Sequence, residues 1–337
     1  MGYLVIFLFA LVVALIVTIY QIIITSKIRF IFKIFLSIIL TFSIMLGSYI
    51  REMGLPSDST EGKILSPLAS PIVKGVETVR HVIRSKDLEK IVRGETDGQK
   101  GNYAVAIKNL KTGEEFFMDE NKRFSSGSLY KLWVMAETYK QIDEGKFALG
   151  TKLSDSVSNL NKRFGLASES AELKEGNISQ TVEQALTQMI TISANYPSYL
   201  LSSKLGSKNI RQFLADYKFP DSNIGTLTTE PYTTPLNIFL FFEKLYKKEL
   251  VNKIASEEMI ELLKRQKLND RIPKYLPKGI VIAHKTGELF GNKHNAGIVF
   301  SSKGNYIIVL MSKTNSEKNA AEVEAQISKK VWDYFNK

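Results

Sequence analysis

From Tyr3 to Thr25 the chain carries no charged residue and consists mostly of Leu, Ile, Val and Phe. A helix rises ~1.5 Å per residue, so ~20 residues cross a ~30 Å hydrocarbon layer, and this run is long enough to span one. A secretory signal would carry basic residues ahead of a shorter apolar core, and none precedes this run. Lys27, Arg29 and Lys33 follow, and then a second apolar run from Ile34 to Ile50. That run is short by itself, but the stems of Lys33 and Arg51 can snorkel and extend it. The alternative is an amphipathic helix over residues 28–50 lying in the interface. The apolar residues surround the helix rather than forming a stripe, which favours spanning.

Two spans would place the basic turn between them, and Lys27, Arg29 and Lys33 prefer the cytoplasmic side. Both ends then face outward. The expected organisation is a membrane anchor of two transmembrane helices over residues 1–50, a linker and stalk over 51–86, and a folded domain over 87–337. The linker holds Pro56, Pro67 and Pro71 among Ser and Gly, and Val73 to Arg84 reads as a short stalk helix. The expected location is the cell membrane, with the lipid bilayer as a partner and the folded domain extracytoplasmic.

About 250 residues remain for that domain, enough to bury a sizeable core. The absence of cysteine excludes disulfides, cysteine-based zinc sites and a thiol nucleophile. Three histidines and no cysteine argue against a metal, and no motif calls for a cofactor. The net charge is +11. The basic residues form no block interleaved with aromatics, so the excess suits anionic envelope polymers or lipid better than nucleic acid. Nothing in the sequence fixes an oligomeric state.

Periodicity gives the domain's class. Tyr103–Asn109 and Glu115–Met118 read as strands of a hairpin turning at Lys111-Thr-Gly113. Apolar residues at 129, 132, 133, 136 and 139 follow helical spacing, with an end near Gly145. Thr181–Ile192 is a second helix, opened by a capping-box pair, Thr181 and Gln184. Pro197 suits the first turn of a third helix running to Gly206. Asn237–Glu249 and Ser256–Gln266 are helical as well. Three strands follow, Gly279–His284, Ala296–Ser301 and Tyr306–Met311, and then a closing helix, Glu317–Phe335. This is an α+β pattern in which both ends of the domain share one antiparallel sheet. Trp133, Tyr199 and Phe213 read as core.

Three short motifs carry chemistry. Ser128-Leu-Tyr-Lys131 starts an apolar helix after a loop of small residues. A serine hydroxyl needs a neighbouring base to become nucleophilic, and a spacing of three puts both side chains on one helical face. Lys131 can serve if burial and a second cation lower its pKa. The helix start adds positive potential where an oxyanion would develop. Ser193-Ala-Asn195 falls at the break between two helices, where its polar groups can enter a cleft. Lys285-Thr-Gly287 follows a buried strand; its ammonium and hydroxyl suit a carboxylate, and Gly287 leaves room for a substrate backbone. Second copies of the last two patterns, Ser207-Lys-Asn209 and Lys111-Thr-Gly113, read as a helix cap and a hairpin turn.

In this order the motifs resemble those of penicillin-recognising serine enzymes, and the surrounding words are most similar to class A β-lactamases. They are Phe124-Ser-Ser-Gly-Ser-Leu-Tyr-Lys131-Leu, Gln141-Ile-Asp-Glu-Gly-Lys146, Met189-Ile-Thr-Ile-Ser-Ala-Asn195, His284-Lys-Thr-Gly287 and Asn295-Ala-Gly-Ile-Val299. The resemblance runs from about Asp87 to Lys337. It implies a β-lactamase/transpeptidase-like fold: a five-stranded antiparallel sheet flanked by helices, plus an all-helical half. It further implies Ser128 as nucleophile and Lys131 as its base. Ser193 would relay a proton, and Asn195 would hold the substrate amide. Lys285 and Thr286 would bind the substrate carboxylate, and the N–H groups of Ser128 and Glu288 would form the oxyanion hole.

Two departures from the family pattern stand out, and the second bears on turnover. Ala194 stands where the family usually has Asp. The loop over Lys218–Pro235 is short, and Glu230-Pro231 lacks the Leu-Asn that follows the deacylating glutamate of class A enzymes. Glu230 is therefore a weak candidate for that base. The implied activity is a membrane-anchored serine hydrolase acylated by β-lactams or D-alanyl peptides, with slow deacylation. The alternatives are a D-alanyl carboxypeptidase-like enzyme of cell-wall peptides and a β-lactam-binding sensor that does not turn over. His294 is expected to pack in the loop after the third motif.

Overall fold

The computed structural model describes residues 83–167 and 169–337. The expected membrane segments over 1–50, and the expected linker and stalk as far as residue 82, lie outside the described residues. Among the described residues no helix is long and apolar enough to cross a membrane.

The elements run in chain order as follows. First come β1 (Ile83–Arg84), α1 (Lys86–Thr96), β2 (Asn102–Asn109), β3 (Glu114–Met118) and β4 (Phe124–Ser125). A 3-10 turn, Gly127–Tyr130, leads into α2 (Lys131–Asp143). Next are β5 (Lys152–Ser156), α3 (Val157–Arg163), β6 (Asn177–Thr181), α4 (Val182–Thr191), α5 (Asn195–Leu205) and α6 (Ser207–Asp216). Then come β7 (Tyr232–Thr233), α7 (Pro235–Tyr246) and α8 (Lys253–Lys264). Last are β8 (Ile282–Leu289), β9 (Asn292–Val299), β10 (Tyr306–Lys313) and α9 (Glu317–Phe335).

Five of these strands form the expected antiparallel sheet, in the order β3-β2-β10-β9-β8. β2 pairs directly with β10, so the two ends of the domain share one sheet. β1 adds two residues in parallel to the outside of β3. Ile83 and Arg84, read from sequence as the end of a stalk helix, are thus strand residues. Arg84 and Ser85 hydrogen-bond toward β3, where Ser85 N–H donates to Glu115 O at 3.0 Å.

Strand alternation sorts the core into two layers. Ala104 and Ala106 of β2 face the helical half, together with Ala283, Ile298 and Val309. Tyr103, Val105 and Ile107 face the other way, against Leu88 of α1 and Val323 and Ile327 of α9. α2 runs through the middle of the helical half. Leu132, Trp133, Val134, Met135 and Ala136 are all fully buried, which is why this run is apolar without a break. Trp133 and Phe213 belong to this core.

The helix signals hold closely. The Thr181 hydroxyl accepts from Gln184 N–H at 3.2 Å and Gln184 Oε1 accepts from Thr181 N–H at 2.9 Å, completing the capping box. Gly206 ends α5 at a φ of 80°, in the left-handed region that glycine tolerates. β8 differs from the expectation: it runs from Ile282 through Leu289, so Lys285-Thr-Gly287 lies inside a strand rather than after one. β9 likewise begins at Asn292, so His294 is a buried strand residue and not a loop residue.

Candidate active site

β8 is the free edge of the sheet, and the turn carrying Ser128 packs against it. Two glycines permit this approach. A Cβ on Gly127 would lie 2.6 Å from Glu288 N, and one on Gly287 would lie 2.7 Å from Ser126 O. Gly127 also has a φ of 47°. The turn is braced from two further directions. Ser126 N–H donates to Pro231 O at 2.8 Å, beside the β4–β7 pairing. His294 of β9 donates from Nε2 to Ser125 O at 2.8 Å and accepts at Nδ1 from Ser312 N–H at 3.2 Å.

Ser128 and Lys131 are one turn apart, and Lys131 N–H bonds to Ser128 O. A 3-10 turn has three residues per turn, so the two side chains project on one face. Ser128 is half-buried and its side chain makes no hydrogen bond among the described residues. Lys131 is fully buried. Its ammonium donates to Asn195 Oδ1 at 2.8 Å, to Ser193 Oγ at 3.4 Å, and to the Ser193 carbonyl.

Ser193 sits at the break between α4 and α5 with a φ of 60°, a conformation that costs a non-glycine residue energy and persists only where its surroundings impose it. The surroundings are specific here. Gln266 Nε2 donates to Ile190 O at 2.6 Å and Lys267 N–H to Thr191 O at 2.9 Å, clasping the chain just after α8 to the end of α4. From the opposite side Lys285 of β8 donates to Ser193 Oγ at 2.8 Å. The three motifs therefore meet at one hydroxyl, between two buried lysines.

The electrostatics follow from that burial. Desolvation brings Lys131 down to about 7, opposed by the nearby Glu172 carboxylate. Burial, and then Lys131 and Arg271, push Lys285 well below the usual lysine range. Two buried ammonium groups sharing one hydroxyl do not both stay charged at low cost. An incoming carboxylate would restore the charge of Lys285. Thr286 is fully buried beside it. Arg271, also buried, pairs with Glu288 and donates from Nη1 to His294 O at 2.8 Å. Glu288 accepts a second ion pair from Lys293 at 2.9 Å. Its side chain is thus held away while its backbone faces the serine turn.

These groups open into a cavity of about 1300 Å³ lined by Ser128, Tyr130, Ser193, Asn195, Thr286 and Glu288. It continues past α5 and α6, where Tyr199, read from sequence as core, instead lines the wall and stacks on Phe164 with ring centroids 4.6 Å apart. Glu230 is exposed and does not line this cavity. Glu172, also exposed and outside the cavity lining, accepts a hydrogen bond from Asn195 Nδ2, a contact with the site that the sequence reading missed. It belongs to no motif, and its loop between α3 and β6 has no periodic pattern. The chemistry such an arrangement supports is acyl transfer: a hydroxyl beside a lysine poised near neutrality, a relaying hydroxyl, and cations for an anionic substrate.

Known structures share this fold. PBP-A aligns with a TM-score of 0.67 at 21% identity, over 75% of this chain and 97% of its own. A β-lactamase from Sphaerobacter thermophilus gives 0.65 at 21% identity, over 74% and 97%. An acyl-enzyme complex of a PBP-A mutant with penicillin G gives 0.67 at 21% identity, over 74% and 96%. At such identities the likeness is one of fold. No curated protein matches the sequence. The family model reaches further, matching residues 84–335, from β1 to the last turn of α9. With the motifs meeting at Ser193 inside that span, the chain belongs to the β-lactamase enzyme family and is a β-lactamase-like serine hydrolase.

Proposed function

We propose that this hydrolase is anchored in the cell membrane, faces outside the cytoplasm, and is acylated at Ser128 by β-lactams or D-alanyl peptides, with slow deacylation. The observation that carries the acylation step is the placement of Ser193 Oγ within reach of both lysines. Neutral Lys131 takes the Ser128 proton as Oγ attacks the carbonyl carbon. The oxyanion forms between the N–H groups of Ser128 and Glu288. As the carbon–nitrogen bond breaks, Ser193 passes a proton to the leaving nitrogen and is resupplied from Lys131 or Lys285. Lys285 and Thr286 hold the substrate carboxylate, and Asn195 holds its amide.

Slow deacylation is supported by the exposed position of Glu230, outside the cavity that Ser128 lines. A positioned general base contributes about 10²–10⁴-fold, so a hydrolytic water without one leaves the ester to accumulate. The same observation favours a second reading, a penicillin-binding protein that is acylated and barely turns over. A time course of a fluorescent penicillin adduct on the full-length chain tests both. A burst of labelling followed by slow release is expected, absent in Ser128→Ala. Rapid turnover with no trapped adduct would overturn the slow step, and label on another serine would overturn the nucleophile. Orientation is tested separately: protease added to cells stripped of their wall should remove residues 87–337.

A further inference from the structure

Glu172 lies in the α3–β6 loop, upstream of Ser193. Its carboxylate accepts from Asn195 Nδ2, while Asn195 Oδ1 accepts from Lys131 Nζ at 2.8 Å. The amide is therefore read at both ends. Turning it over would set its NH₂ against the Lys131 ammonium and its oxygen against the carboxylate. The loop is not a floating strand of chain. The Tyr196 hydroxyl accepts from Leu173 N–H at 3.1 Å and donates to Asn161 Oδ1 at 2.8 Å. Asn161 Nδ2 in turn donates to Leu173 O at 3.0 Å. Tyr196 is buried in α5 one residue after Asn195, and Ala171 is buried on the other side of Glu172. The same helix start thus grips both the Glu172 side chain and the backbone next to it.

We propose that Glu172 is a positioning residue of the acylating site: through Asn195 it fixes the amide that binds Lys131 and substrate, and it places a negative charge on the helical side of the lysine pair. The inference rests on the reading of Ser128 and Lys131 as nucleophile and base. With one Nδ2 hydrogen given to Glu172, Asn195 keeps the other for a substrate carbonyl. The charged and titratable groups around Lys131 are Glu172 from the α3–β6 loop, Lys285 from β8 and the Tyr130 ring, while the Tyr199 phenol faces Glu172. Arg271 and Glu288 act on Lys285. Of these, Glu172 is the group that favours the protonated form of Lys131, against its burial.

The test follows Lys131 directly. The full-length chain, labelled with ¹³C at the lysine ε carbons, is titrated by NMR as wild type, Glu172→Gln and Glu172→Ala, with Lys131→Arg assigning the resonance. In parallel the rate of Ser128 labelling by a fluorescent penicillin is measured across pH. Gln keeps an acceptor for Asn195 and removes only the charge. In Glu172→Gln the Lys131 midpoint should fall below its starting value, and the acid limb of the labelling profile should move down with it. In Glu172→Ala the same shift should come with a further loss of about tenfold in the plateau rate, the scale of one lost orienting hydrogen bond. A midpoint and acid limb unmoved in both variants would overturn the proposal and leave Glu172 a loop contact. If the penicillin labels none of the proteins, the acylation reading fails, and the NMR midpoint still decides the role of Glu172. If the Ala variant does not fold, the Gln variant carries the result.

Discussion

Lys285 Nζ donates to Ser193 Oγ at 2.8 Å, joining the edge strand of the sheet to the break between two helices of the other half. Lys131 reaches the same oxygen from the far side at 3.4 Å. One hydroxyl therefore links two buried lysines and is placed to move a proton between them.

Ser193→Ala should remove that relay while leaving Ser128 and Lys131 in place. Proton transfer by a positioned group is typically worth 10²–10⁴-fold, so the acylation rate should fall by about 10²-fold or more. The chain leading into 193 keeps its clasp, Gln266 on Ile190 O and Lys267 on Thr191 O, so the thermal midpoint should change little by comparison. The measurement pairs labelling kinetics with thermal denaturation. Labelling at the wild-type rate would show that another group protonates the leaving nitrogen.

Acylation should depend on pH through Lys131. The lysine acts as a base only when neutral, and burial sets its midpoint at about 7. The rate should therefore rise roughly tenfold per pH unit on the acid side and level off above that midpoint. An acylation rate flat between pH 5 and pH 8 would exclude Lys131 as the titrating base.

Gly287→Ala should separate the strand from the serine turn. The new Cβ would lie 2.7 Å from Ser126 O and 2.9 Å from Leu129 Cγ, and one of these is backbone that cannot swing aside. Overpacking of this kind costs about 1–3 kcal/mol. The expected outcome is a lower thermal midpoint together with slower labelling, because the moved elements carry Ser128 and the Glu288 N–H. An unchanged midpoint would mean that the approach of turn and strand is looser than these distances.

Much of this was legible in the sequence. The five strands, the capping box at Thr181 and the end of α5 at Gly206 follow from local signals that tertiary packing reinforces. The three motifs were legible because their residue types are unusual at those places: a lysine at the start of a helix's apolar run, a polar triplet at a helix break, a charged residue directly after a buried run. Strand limits were less so. The run after Lys285 carries Thr, Gly and Glu, which read as a turn, yet pairing with β9 continues it to Leu289. Glu172 was not legible at all. Its partner Asn195 is 23 residues away, and nothing in its loop distinguishes it from the neighbouring Glu169 and Glu175. Tyr199 looked like core because helical spacing cannot tell a packed face from a cavity wall.

His294 gives the last prediction, on acid stability. Burial depresses it to about 4, with the Ser125 and Lys293 backbone acting in the opposite sense, and burial likewise depresses His284 to about 3. Both rings are neutral and fully committed. His294 donates at Nε2 to Ser125 O and accepts at Nδ1 from Ser312 N–H, so a second proton would meet a donor. His284 likewise accepts from Asn295 Nδ2 at 3.0 Å and donates to Asn269 Oδ1 at 3.2 Å. In the unfolded chain each histidine titrates near its ordinary value of 6.5, so below that pH the unfolded state binds more protons than the folded one. Their effect on stability is absent above pH 6.5 and becomes a growing loss as pH falls toward the folded midpoints. Glu324, buried and raised well above the usual carboxylate range, acts with the opposite sign, so total stability is a poor readout. A difference isolates the histidine. His294→Gln keeps a donor for Ser125 O and cannot take up a proton. It should be less stable than wild type at pH 7, having lost the acceptor for Ser312 N–H. The gap should then close by about 1.4 kcal/mol per pH unit between pH 6 and pH 4. Denaturant unfolding at several pH values measures it, and parallel stability curves for the two proteins would show that His294 titrates normally in the folded state.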